Sequence, residues 1–190
     1  MTTGDVLAAV ERAYTAHFAQ PPMRASVSFV GVEPIEVLRY EPVPSACAYL
    51  SLGMSRRAMT AASQPIAELD GPRAELLLQV HDAGYSDVWR QLAVLAATPA
   101  VEGVVVADGM TLDLGRPLAT GSSCSGCLIG VAPIEPVASP VGTVVVLQVL
   151  PATATELAWA RVHGTAALRE RWSAAATDLL DLGRRAVSLR

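Results

Sequence analysis

The sequence predicts an α+β domain, a mostly antiparallel sheet flanked by helices. Two groups of strand-like segments carry apolar residues at alternate positions. Stretches with helical spacing lie before, between and after them. The order helix, strands, helix, strands, helices lacks the regular strand–helix alternation of a parallel sheet.

The first helix is read over Asp5–Phe18, where Val6, Val10, Ala13 and Tyr14 share one face. Thr2 and Thr3 are candidate caps, and Gln20-Pro21-Pro22 ends the helix. Strands are expected over Ala25–Val32, Ile35–Tyr40 and Ala46–Leu52, with Pro34, Pro42 and Pro44 between them. Met54–Pro72 is rich in Arg, Ala, Ser and Gln and contains Pro65, so it reads as a long surface loop. Arg73–Val80 reads as a strand. A helix capped by Ser86 follows to about Ala97, with Pro99 after its end. Short strands are expected at Leu112–Leu114 and Cys127–Val131, and an apolar one at Val144–Leu150. A helix capped by Thr153 or Thr155 should end at Gly164 in the left-handed conformation. Further helical stretches are read at Ala166–Ala176 and Asp178–Val187.

A chain of 190 residues with no repeat and no low-complexity linker fits one domain, residues 1–190. Its 52% hydrophobic and 17% charged residues exclude general disorder. No apolar run approaches the ~20 residues that span a bilayer. The N-terminus carries no signal-peptide pattern, and three cysteines suit a reducing compartment, so a cytoplasmic location is expected. A net charge of −4 disfavours nucleic acid, which needs a basic stripe. All 14 basic residues are Arg, and Lys and Asn are absent. That bias points to a GC-rich, bacterial genome.

Chemistry-bearing motifs are few. Cys124-Ser125-Gly126-Cys127 is a CxxC pair, which could cycle between dithiol and disulfide if one thiol had a lowered pKa. The segment after it reads as a strand, so no helix dipole is expected beneath the thiols, and the competing reading is two small residues near a turn. A zinc site would need four ligands, with Cys47, His17, His81 and His163 as the remaining candidates, none at ligand spacing. His81-Asp82 has no attached nucleophile and reads as a strand end. Glu33, Glu36 and Glu41 read as solvated strand edges. Gly121-Ser122-Ser123 lacks the Lys of a phosphate loop. Trp89, Trp159 and Trp172 fall on predicted helices, and Trp172, beside Arg169, Glu170 and Arg171, is the best of the three for an interface. No cofactor is expected.

Several segments, in order, match one family. They are Tyr49-Leu50-Ser51-Leu52-Gly53-Met54-Ser55, then Asp70-Gly71-Pro72-Arg73-Ala74-Glu75 leading into Leu76-Leu77-Leu78. Trp89 with Leu92 and Leu95, Arg116-Pro117-Leu118, the strand Gly142–Val149, Thr155-Glu156-Leu157 and Gly164 follow. Over about residues 25–165 the chain resembles a Suppressor-of-fused domain protein of the short bacterial type, with residues 165–190 as added C-terminal helices.

The resemblance implies an α/β sandwich with no catalytic constellation. It implies a protein-binding module, since animal members grip a peptide that joins as a strand. Bacterial members are proposed to be immunity proteins that neutralise toxins. An acidic residue in an Asp-Gly-Pro stretch contacts the peptide in animal members, and Asp70 occupies that place. The accompanying tyrosine has no counterpart, the aligned position being near Ala58. The expected partner is therefore a toxin or regulatory protein. It would be gripped around Met54–Pro72, with Met54, Arg56, Arg57 and Asp70 as candidate contacts and the Arg pair as an electrostatic rim. The chain itself is expected to be a monomer or weak homodimer. The alternative is a thiol-redox or metal-binding protein using Cys124 and Cys127.

Overall fold

Helix α1 (Thr3–Phe18) forms where the sequence spacing places it. Val6, Val10 and Tyr14, four residues apart, are fully buried. The computed structural model describes residues 3–43, 46–63, 71–81, 84–85 and 87–190. Thr2, Pro44, Pro65, Asp70, Asp82 and Ser86, all named above, lie outside the described residues.

The sheet has eight strands: β1 (Met23–Phe29), β2 (Val32–Val43), β3 (Ala46–Leu52), β4 (Arg73–His81), β5 (Thr111–Asp113), β6 (Cys124–Val131), β7 (Val137–Ser139) and β8 (Gly142–Thr153). Their order is β1-β2-β3-β4-β8-β6-β5, with β7 also on β8. Every pairing is antiparallel except the parallel one between β4 and β8. The mostly antiparallel α+β fold is thus as expected.

Successive side chains of a strand point to opposite faces, and this sorts the core. Ile35, Val37, Cys47, Tyr49, Leu76, Leu78, Leu147 and Val149 pack with α2 (Val88–Glu102). Leu38, Tyr40, Ala48, Leu50, Leu77, Val144 and Val146 pack with α1. Further along β8, Ala152 joins Leu128 against α3 (Ala154–His163) and α4 (Thr165–Ala174). Val144, Val146 and Ala152 share one parity, so α1 and the α3–α4 pair cover one face and α2 the other.

Two buried carboxylates organise the irregular segments. The β3–β4 ladder runs from Ala46↔His81 to Leu50↔Leu77. Beyond it side chains take over: Leu76 N–H donates to Ser51 Oγ at 2.8 Å, and Ser51 Oγ donates to Glu75 at 2.5 Å. The other oxygen of Glu75 accepts from Gly53 N at 2.8 Å, Ser55 N at 3.0 Å and Ser55 Oγ at 2.7 Å. Gly53 has φ +139°, so a residue with a side chain would be strained at this turn. Arg73 donates from Nη1 to the carbonyls of Ser55 and Arg56, both at 2.9 Å, and Tyr14 donates its hydroxyl to the Ser51 carbonyl at 3.2 Å. The first residues after β3 form a 3-10 turn, Met54–Arg56, instead of the expected surface loop. Met54, Ser55 and Met59 are buried.

Glu156 is the second. Its side chain closes a capping box with Thr153, which starts α3. Arg184 binds both its oxygens at 2.7 and 2.9 Å, and Trp172 Nε1 and Val187 N each donate at 3.0 Å. This ties residues 175–190 to the fold.

That tail is not helical, contrary to the expectation for Asp178–Val187. Asp178 and Asp181 accept from the backbone N–H two residues on, at Leu180 and Gly183, which competes with helix formation. The tail backbone bonds to the core instead, with His81 N and Ser123 N donating to Leu180 O and Leu182 O. Pro99 also differs from expectation, lying inside α2, which runs on to Gly103. The added turn is anchored where Ala62 N donates to Gly103 O at 2.7 Å. Gly164 has φ 90° and ψ 153°, not left-handed, because it both ends α3 and begins α4.

Two predictions follow from these knots. Glu75→Ala leaves four donors facing a dry hole and should cost about 3–5 kcal/mol in denaturant unfolding. A loss below about 1 kcal/mol would show that the turn rearranges freely. Burial pushes the Glu156 carboxyl up, but Arg184, the Val187 and Thr153 amides and Trp172 outweigh it and hold it below 4.5. Asp87, held by the Thr120 hydroxyl, Asp113, by the Gly115 amide, and Asp178, by His81, shift the same way. The unfolded chain therefore takes up protons first as pH falls. Stability should hold down to about pH 4.5 and decline below it, whereas Arg184→Gln should be less stable near neutral pH and lose less on acidification, because its Glu156 is no longer held down, as read from unfolding midpoints.

Candidate partner-binding surface

At one end of the sheet β1 pairs only with β2; β5 and β7 also pair on one side only, but each has three residues against the seven of β1. Among the described residues, its outer edge carries no strand. An edge strand presents alternate N–H and C=O groups outward, a template for another chain. Ladder β1–β2 runs from Met23↔Arg39 to Val27↔Ile35, then to Phe29↔Val32. Two steps on β1 there match three on β2, so the extra residue belongs to β2, beside Pro34, and β1 itself stays regular.

A groove of about 350 Å³ opens at the Met23 end of β1. Met23 and Ala25 form one wall, Val37, Arg39 and Tyr49 the floor, and Tyr85 and Trp89 the far wall. Trp89 is half-buried and carries Arg90 over its ring at 4.9 Å. Arg39 is fixed by Cys47 Sγ at 3.0 Å and Glu41 at 3.0 Å. The groove therefore combines rigid aromatic surface with a held guanidinium, the mixture that anchors protein side chains. At the other end of β1 a smaller recess of about 100 Å³ lies between the β1–β2 turn and the 3-10 turn, lined by Gly31, Glu33, Met54 and Arg57.

The expected contacts fall unevenly on this surface. Met54 is largely buried. Arg56 donates to Pro34 O and lies 3.5 Å from Glu33. Arg57 is exposed and stands at the recess. The groove residues come from β1, β2, β3 and the start of α2, and no local pattern marks them as neighbours. Trp89 packs partly against the core and also lines the groove. Trp172 is not an interface residue: it is buried and donates to Glu156. The charged residues beside it in sequence point elsewhere on the helix. Glu33, Glu36 and Glu41 are each paired with an arginine, Arg56, Arg24 and Arg39.

The structure does not support the thiol alternative. Cys124 and Cys127 lie within β6, both fully buried, with Cys47 also buried. Burial pushes the Cys124 thiol up to about 11 and the Cys127 thiol up to about 12. That is the reverse of a redox-active pair, which needs a stabilised thiolate. Gly126 between them is there for packing: a Cβ would fall 2.3 Å from Leu112 O, where β5 crosses. No group of three or more His, Cys, Asp or Glu among the described residues could hold a metal, and His81 Nε2 instead pairs with Asp178 at 2.7 Å. At pH about 8 a thiol reagent should leave folded protein unlabelled and modify all three cysteines after denaturation. Rapid labelling of the native protein would contradict this burial.

Comparison with known proteins agrees with this architecture. The family model for Suppressor of fused protein (SUFU) matches residues 31–185. No curated protein matches the sequence. A crystal structure described as a SUFU homologue from Neisseria gonorrhoeae superposes with a TM-score of 0.69 at 19% identity, over 96% of each chain. A chain of the Sufu–Fu complex gives 0.67 at 14% identity, covering 96% of this chain and 90% of that one. Drosophila Suppressor of Fused gives 0.67 at 15% identity, over 97% of this chain and 50% of that one. With the family model matching residues 31–185, most of its length, the chain belongs to the Suppressor of fused protein family.

Proposed function

We propose that this protein is a non-catalytic, cytoplasmic protein-binding module that receives an extended segment of its partner along the open edge of β1. The observation that carries the reading is the unpaired edge of β1 ending in an aromatic groove. An added strand gains main-chain hydrogen bonds from the edge and specificity from side chains at alternate positions. Seven residues of β1 offer a track about 20 Å long, from the groove to the recess beside Arg57. Asp70, Arg56 and Met54 belong to the same proposed contact set. A chain similar in fold is that of the Sufu–Fu complex, which holds a protein partner. Within this class the partner is a toxin that the protein neutralises as an immunity protein, and a regulatory protein is the second choice.

Pull-down from host lysate with wild type, Trp89→Ala, Arg57→Glu and Asp70→Arg tests the reading. One protein should be retained by wild type. Trp89→Ala should weaken its binding by about 2 kcal/mol, roughly thirtyfold, in a follow-up titration. A secreted toxin as that protein would establish immunity. Undiminished binding by all three folded variants would place the interface elsewhere and end this reading.

A further inference from the structure

The residues of β1 are arranged so that the strand can pair with itself. Its sequence is Met23-Arg24-Ala25-Ser26-Val27-Ser28-Phe29. Odd positions are apolar and face the α2 side, where Val27 and Phe29 join the core and Met23 and Ala25 wall the groove. Even positions are Arg24, Ser26 and Ser28, all polar. An antiparallel partner centred on Ser26 places residues whose numbers sum to 52 opposite each other, which always share a parity. Met23 then meets Phe29 of the other copy, Ala25 meets Val27, Arg24 meets Ser28, and Ser26 meets Ser26. Apolar side chains meet apolar ones on one face and hydroxyls meet on the other. The two Arg24 residues stand four positions apart, about 13 Å, so no like charges oppose each other.

Usual protections of an edge strand are missing along this stretch. It has no proline, no bulge of its own and no lysine. Its single charge, Arg24, is exposed and paired with Glu11 and Glu36.

We propose that a second copy of this chain occupies the β1 edge, joining two sheets into one continuous sheet across a two-fold axis through Ser26. Both copies use the same patch, as a two-fold interface requires. The proposal bears on the function given above, because a partner strand and a second copy need the same backbone groups. Self-pairing shields the edge until the partner displaces it.

Sedimentation velocity through the micromolar range tests this on the protein alone. Wild type should show a reversible dimer. Successive amides of a strand point to opposite sides, so one of Ala25→Pro and Ser26→Pro removes an outward N–H and spares the β2 ladder. The variant that keeps the wild-type melting temperature should be monomeric. In Ser26→Cys a short bis-maleimide should join the two copies, roughly tenfold faster than in Ser28→Cys, whose positions lie two residues off the axis. The native cysteines are buried and do not compete. Monomeric wild type at every concentration overturns the proposal, as does a dimer insensitive to both prolines or one cross-linked equally from either position. A monomeric result leaves partner capture by the β1 edge standing, whereas pull-down failure with an intact dimer removes only the partner.

Discussion

A carboxylate in a protein interior must be fully hydrogen-bonded or it destabilises the fold, and the buried Glu75 meets that condition through an unusual substitution. Where the β3–β4 ladder ends at Leu50↔Leu77, the carboxyl group takes over the work of a strand pair. It binds Ser51, Gly53 and Ser55 together and so turns the chain sharply after β3. The position of Met54 and Met59 in the core, the anchoring of Arg73 and the seat of Tyr14 on α1 all depend on this turn. Its effects reach the candidate surface, because the 3-10 turn that it creates forms one side of the recess beside Arg57.

Glu156 repeats the logic at the far end of the sheet. It begins α3 through the capping box and collects Trp172, Arg184 and Val187, so one acidic side chain anchors the non-helical tail alongside the backbone bonds from His81 and Ser123. The motif Thr-Glu-Leu and the motif around Gly-Met-Ser, which carried the family resemblance, are thus both seats of buried carboxylate chemistry. Their role in the molecule is architectural. Gly53 and Met54 of the second motif also line the recess beside Arg57.

Much of the fold was legible in the sequence because period was strong and local. Ala46–Leu52 was read to the residue, and α1, β4 and β8 were placed within a few positions. The misreadings share a cause. Met54–Pro72 looked like a solvated loop since its own composition is polar, and only the distant Glu75 reveals why its first turn is buried. Asp178–Val187 has helix-like apolar spacing, yet its aspartates bond their own backbone and the tail carbonyls find partners on β4 and before β6. Cys124 and Cys127 match a redox spacing, but the pair sits inside a strand covered by β5. The groove could not be read at all. Met23, Arg39, Tyr49 and Trp89 become neighbours only when β1, β2, β3 and α2 assemble.

The single parallel junction of the sheet has a consequence for how the molecule comes into being. β1 through β4 form a local antiparallel meander, while β8, the other neighbour of β4, lies some seventy positions further along, where Arg73 meets Val144. During synthesis the run Leu76-Leu77-Leu78 is made long before its partner leaves the ribosome. For that interval the most apolar strand of the first half is itself an open edge. Joining it to β8 closes a long loop, which is slow compared with forming hairpins. The centre of the finished sheet is thus its last-formed part, and the nascent chain is most vulnerable to misassociation where the folded protein is best protected.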